Sequence, residues 1–276
     1  MTVGRQAWKH VPLAAAALWF AGPLAWVALT SLKPAGDILA VPPRIWFRPT
    51  LEWYAALWNP QAFLGDLRGY LANSLVIALA SSGWATAAGL TCGFALSRLR
   101  FPGRGALAWG LLLLRMLPPV ATAVPLFVLL RAVGAVDTHV GLGAVYAAVN
   151  LPFLVWLLKG FLDEVPRELD EAAWIDGCPR WLYLTRVLLP LTAPGIAACA
   201  GYSFLVSWNE FSLALLLTAR RAATAPVYVL NFITDQGVQW GPLAAAATVL
   251  TVPAALFVVL ADRHLRRGLF GGAFKG

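Results

Sequence analysis

Few residues in this sequence have the chemistry of a catalytic or metal site. The three cysteines, Cys92, Cys178 and Cys199, share no ligand spacing, and the three histidines, His10, His139 and His264, lie far apart. Cysteines without a paired framework read as ordinary small apolar side chains. There is no GxxxxGK[ST] phosphate loop and no HExxH helix. ATP binding by this chain, a metal site and an enzymatic activity are therefore not expected. What remains are polar side chains in unusual places. Arg115, Asn150, Asn209 and Glu210 all fall in strongly apolar stretches. A charge in a bilayer core costs roughly 2.5–3.5 kcal/mol or more, so Arg115 and Glu210 need a reason to be there. Two readings stand. The four residues line a polar pathway through the apolar layer, or the two charges hold a helix bundle together. In the second reading they pair with each other or with carbonyls freed by Pro118 and Pro119. Trp84, Trp109, Trp156 and Trp208 read as packing or interface residues.

A second concentration of polar residues runs from Pro166 to Pro190, PRELDEAAWIDGCPRWLYLTRVLLP. Its first half reads as a short helix. Pro166 suits a first helical position, where its missing N–H costs nothing. Glu168, Asp170 and Glu171 place negative charge at the positive end of the helix dipole. Leu169, Ala172, Ala173 and Asp176 fall on one face, and Gly177 stands where a left-handed residue commonly ends a helix. At 1.5 Å per residue such a helix is about 16 Å long, too short and too charged to cross a bilayer. Asp176 and Gly177 would shape a turn into a second helix, Trp181 to Leu189.

The elements that must position these residues are long and apolar. Of 276 residues, 60% are hydrophobic and 12% charged, about half the charge fraction of a soluble domain. The mean hydropathy is +0.71. This composition indicates an all-α, polytopic membrane protein with six spans, a single transmembrane domain over residues 1–276. A β-barrel would show short alternating segments instead. Spans are expected at about 11–31, 71–96, 106–130, 140–158, 194–218 and 242–261, with a polar loop at 159–193. Asn73 and Ser74 could cap the second span. Gly89 and Gly93 form a small-xxx-small pair that permits close helix packing. The third span contains Pro118-Pro119 and should be kinked or broken. The loop from Leu32 to Tyr70 is dense in aromatics, as suits a membrane interface.

A net charge of +8 need not mean nucleic acid, because basic residues of membrane proteins set orientation and meet anionic lipid. With six spans both termini share a side. Thirteen of the 21 Lys and Arg residues fall on that side, seven on the other, and Arg115 lies within a span. The positive-inside rule thus places both termini and the 159–193 loop in the cytoplasm.

In that loop, Glu171-Ala172-Ala173, Gly177 and Val187-Leu188-Leu189-Pro190 resemble the EAA motif of ATP-binding-cassette (ABC) importer permeases, with Val187 in place of isoleucine. SLKP at Ser31–Pro34, SWNEF at Ser207–Phe211 and the ending GGAFKG at Gly271–Gly276 are similar to the carbohydrate branch, specifically the smaller maltose-type permease. The resemblance implies a permease subunit of a bacterial cytoplasmic-membrane importer working by alternating access. It implies a second permease as heterodimer partner, two ATPase subunits that carry ATP and Mg, and an extracytoplasmic solute-binding protein. Pro166–Gly177 would be the coupling helix that docks on an ATPase, with Glu168, Glu171, Ala172, Ala173, Asp176, Gly177 and Pro190 as coupling residues. Trp181–Pro190 would transmit its motion. Polyamine or another solute, and a self-contained secondary transporter, are the alternatives. No convincing internal repeat, a common mark of the latter, is visible.

Overall fold

A computed structural model describes residues 4–59 and 66–272. In chain order its helices are α1 (Gly4–Thr30), α2 (Ala35–Ile38), α3 (Glu52–Leu57), α4 (Leu67–Arg98), α5 (Arg104–Leu114), α6 (Pro119–Ala132), α7 (His139–Asp163), α8 (Glu168–Ile175), α9 (Arg180–Tyr183), α10 (Leu189–Trp208), α11 (Ser212–Leu217), α12 (Ala225–Tyr228) and α13 (Trp240–Gly272). A two-residue hairpin pairs Ile233 with Val238 and Thr234 with Gly237. The protein is all-α in architecture. Among the described residues, five helical stretches are long and apolar enough to cross a membrane: His10–Thr30, Leu67–Arg98, His139–Asp163, Arg180–Trp208 and Trp240–Val259. The pair α5 and α6, bent by 99°, makes a sixth when counted as one span.

That bend lies where two prolines meet. Pro118 and Pro119 offer no N–H, and Pro118 is extended (ψ 128°). The backbone of Arg115–Leu117 closes on Leu112–Leu114 through three-residue hydrogen bonds, and α6 starts afresh with Pro119 in its first turn.

The fifth span differs most from the predicted 194–218. It begins at Arg180 and ends at Trp208, so the two helices expected there, Trp181–Leu189 and the membrane span, are one rod. The join is a π-helical turn, Leu184–Leu188. Pro190 lies two residues beyond it and cannot donate to Arg186, and a widened turn is how a helix absorbs such a loss without breaking. The second span begins at Leu67 rather than 71. Asn73 and Ser74 are consequently inside α4, and instead of capping it they bind the 221–225 segment. Asn73 Nδ2 donates to the Arg221 and Ala223 carbonyls (3.0 and 2.9 Å), and Ser74 Oγ accepts from the Ala225 N–H (2.8 Å).

The described residues form two compact units, Met1–Gly69 with Tyr228–Pro253, and Tyr70–Val227 with Ala254–Gly276. In the first, the Lys33 side chain is buried over the ring faces of Trp26 (4.4 Å) and Phe47 (5.6 Å). Trp53 donates to the Lys33 carbonyl at 2.7 Å.

The second unit is the helix bundle. One core joins Ile77 of α4, Ala123 and Leu130 of α6, Leu142, Val145 and Tyr146 of α7 and Leu213 of α11. Another joins Leu154, Leu158 and Leu162 of α7 with Tyr183, Leu188 and Cys199 along the α9–α10 rod. The predicted small pair sets the approach of α4 to α7. A Cβ on Gly89 would meet Leu154 and Leu158 at 3.1–3.2 Å, and one on Gly93 the Lys159 backbone at 3.2 Å.

Candidate functional site

The loop between α7 and α10 is organised by α8. The helix starts at Glu168, two residues after Pro166, and its acidic first turn faces the dipole as expected. Its end is a Schellman motif. The Gly177 N–H binds the Trp174 carbonyl (3.1 Å) and the Cys178 N–H binds the Ala173 carbonyl (2.9 Å). Gly177 takes φ +69° to allow this, a conformation an L side chain adopts only at a cost. The chain then turns at Pro179 into the α9–α10 rod.

The two sides of α8 differ. Glu168, Glu171, Ala172, Asp176 and Gly177 are exposed, Ala173 is half-buried, and Pro190 is exposed on the rod. Ile175 is 86% exposed, beside the partly exposed Leu169 and Trp174. An apolar side chain that projects this far, flanked by carboxylates, makes a compact surface suited to a protein partner. The opposite side holds Asp170, which is buried. Its carboxylate accepts the Tyr183 hydroxyl and pairs with Arg98 Nε at 3.1 Å. Trp174 lies against the Tyr183 ring, with centroids 5.2 Å apart. From the sequence Asp170 reads only as one of three acidic residues facing the helix dipole, because an acidic residue among acidic residues of a short helix reads as solvated. Arg98 sat unremarked in a basic turn. Only the fold brings the two together across 72 positions.

The four polar residues of the apolar stretches do not meet as one group. Arg115 closes α5 at the bend. Its Nη2 donates to the Tyr202 hydroxyl (3.3 Å), and its guanidinium lies 5.8 Å from the Phe153 ring centre. No ion pair joins Arg115 to Glu210 among the described residues. Asn150 is buried, and its Nδ2 donates to Ser207 Oγ (3.0 Å), which also accepts from Ser81 Oγ (3.0 Å). Asn150 Oδ1 has no partner among the described residues. Asn209 is exposed and its amide donates to the Leu205 carbonyl at 2.8 Å. Glu210 lies past the end of α10, where its carboxylate accepts the N–H groups of Leu213 and Ala214 at 2.9–3.1 Å. It therefore caps the first turn of α11. The SWNEF segment is the junction between two helices, which accounts for a glutamate in so apolar a stretch.

A third polar feature joins the ends of α6, α7 and α11. Asp137 has φ +55° and its carboxylate accepts the N–H groups of Ala219, Arg220, Arg221 and Ala222 at 3.0–3.1 Å. Burial alone would push its pKa up. The four N–H bonds together outweigh it and hold the group at about 2. His139 bonds Asn73 Oδ1 at 2.7 Å, and Asn73 in turn donates to the Arg221 and Ala223 carbonyls of the same segment. The ending Gly271–Gly276 cannot be assigned a contact, since its last four residues lie outside the described residues.

The chain is an all-α bundle with a bent third span and a short polar helix set between two spans. Solved structures agree on the fold. A chain of a bacterial ABC transporter for the acidic polysaccharide alginate superposes with a TM-score of 0.75 over 95% of this chain and 98% of that one, at 18% identity. A chain of the MetNI methionine ABC transporter superposes at 0.61 over 73% and 94%, at 19% identity. In sequence, residues 85–271 match the family described as binding-protein-dependent transport system inner membrane component. The trehalose transport system permease protein SugB of Mycobacterium tuberculosis is 36% identical, with 92% of each chain covered. The diacetylchitobiose uptake system permease protein DasC of Streptomyces coelicolor is 31% identical over 98% of this chain and 97% of its own. This chain belongs to that inner membrane component family. It is a multi-pass membrane transport subunit.

Proposed function

We propose that this protein is a permease subunit of an ABC importer that moves a carbohydrate-type solute across the bacterial cytoplasmic membrane by alternating access. It pairs with a second, non-identical permease and rests on two ATPase subunits, which hold ATP and Mg. An extracytoplasmic binding protein delivers the solute. The charge bias along the sequence supports a cytoplasmic side for both termini and α8. Full-length relatives named for trehalose and diacetylchitobiose support the carbohydrate class over polyamines.

The single observation that carries the coupling reading is the two-sidedness of α8. Asp170 fixes one side to the bundle, while Glu168, Glu171, Ala172 and Ile175 stand clear on the other. The α9–α10 rod then leads from that contact into the membrane without a break in helix. Arg115 and Asn150 are the residues we assign to the solute pathway. Each keeps polar capacity unused by the bundle, whereas the Glu210 carboxylate is taken up as the cap of α11.

The test is reconstitution of the complex in proteoliposomes with labelled trehalose, diacetylchitobiose, maltose and spermidine. ATP-dependent uptake of a saccharide, lost in Glu171→Lys with the ATPase subunits still present, supports the reading. Uptake of spermidine alone would remove the carbohydrate class. Uptake unaffected by Glu171→Lys would remove the coupling role.

A further inference from the structure

The buried side of α8 has a consequence for how motion leaves it. The α9–α10 rod is one covalent route, reached through Pro179 and Gly177. A second route is not covalent and centres on the last turn of α4. There the Arg98 side chain, only 2% exposed, forms an ion pair with Asp170 (Nε to Oδ2 3.1 Å, without hydrogen-bond alignment), and its Nη2 donates to the Val165 carbonyl at 2.8 Å. The neighbouring Ser97 donates to Asp163 Oδ1 at 2.5 Å. Two adjacent residues of α4 thus hold the end of α7, the strand of loop that follows it, and α8. Tyr183 closes the set from α9 by its hydrogen bond to Asp170.

We propose that Arg98, Asp170 and Tyr183 are positioning residues of the transport cycle. They make α8, the end of α4 and the start of the α9–α10 rod one mechanical body. This rests on the coupling reading above, and adds that a displacement of α8 enters two spans together. The physical basis is the cost of separation. Pulling α8 away from α4 would leave a guanidinium and a carboxylate buried without each other, which is far less favourable than separating exposed charges. An ion pair placed on the solvent side of α8 would slip under load; this one cannot do so without exposing Tyr183 and opening the core below it.

Two native cysteines report on the proposal. Cys92 is exposed on α4, and Cys178, half-buried, lies three residues beyond the end of α8. With the buried Cys199 replaced by alanine, both are spin-labelled in the assembled complex. The distance between them is measured without nucleotide and after trapping with ATP and vanadate. ATPase retention is scored on the same samples. The expected result is one narrow distance, the same in both states. Asp170→Asn and Arg98→Gln should broaden it and make it differ between states, and Tyr183→Phe should do so less. The exchange Arg98→Asp with Asp170→Arg should narrow it again, which a loss of folding would not allow. If the unmutated pair already changes distance between states, or if Asp170→Asn leaves it unchanged, the rigid-body proposal is overturned. Failure of the ATPase to be retained by the unmutated protein would instead overturn the coupling reading itself.

Discussion

Gly177 separates a conformational requirement from a contact. It ends α8 at φ +69°, and a Cβ built there meets no atom within 4 Å. A substitution therefore brings no clash inside the chain, only backbone strain. For an L-residue the left-handed conformation costs roughly 1–2 kcal/mol, with asparagine the least affected. One to two kcal/mol corresponds to a factor of about 5–30 in the ratio of the two states of a two-state element. Gly177→Val should accordingly lower the ratio of correctly to incorrectly terminated α8 by about that factor, and ATP-driven uptake in proteoliposomes should fall by up to as much. Gly177→Asn should stay close to the unmutated rate. Membrane insertion and yield should be equal for both. If valine and asparagine behave alike, the reasoning fails. Equal loss would mean that the glycine surface itself is the contact, and equal activity would mean that the shape of this turn is not needed.

Gly195 makes the opposite case, since a Cβ there would lie 2.5 Å from the Phe161 ring. Gly195→Val should cost about 1–3 kcal/mol by overpacking, seen as a lower melting temperature in detergent, and Phe161→Ala should recover part of it. An unchanged melting temperature would contradict that packing. Asn150→Leu should leave the melting temperature equal or higher, because it removes a buried acceptor that has no partner, yet lower uptake if the amide faces the solute. For Asp137 the folded pKa is below the unfolded one, so its contribution is present above pH 3.8 and fades as the pH falls towards about 2. Amide exchange at Ala219–Ala222, corrected for intrinsic rates, should be protected at pH 6 and progressively less so below pH 4. Asp137→Asn should lose that protection at pH 6, and retained protection in this variant would contradict the clamp.

Much of the fold was legible because its signal is long and redundant. Runs of about 20 apolar residues survive any single substitution, so the helical spans and the break at Pro118-Pro119 followed from composition and proline chemistry alone. The end of α8 was equally readable, since a glycine after an acidic, alanine-bearing turn has few other uses. The joins between elements were not. Trp181–Leu189 and the span expected from about 194 are one helix, because a π turn carries the rod past Pro190. SWNEF looked embedded because hydropathy continues through it, although Glu210 is a cap between two helices. The Arg98–Asp170 pair had no local signal at all. Its partners are remote in sequence and each has a bland local reading, as basic turn and acidic helix face. The carboxylate of Asp137 was passed over for the same reason.

The central claim is that the exposed side of α8 is the contact with the ATPase. A photo-crosslinking amino acid placed at Ile175, which is 86% exposed, tests it in membranes carrying the whole complex. The account predicts an adduct with the ATPase subunit, and none from the same group placed at Trp84, which is exposed on the apolar α4. Adducts from position 175 with lipid alone, or with no ATPase among them while the complex remains assembled, would contradict it.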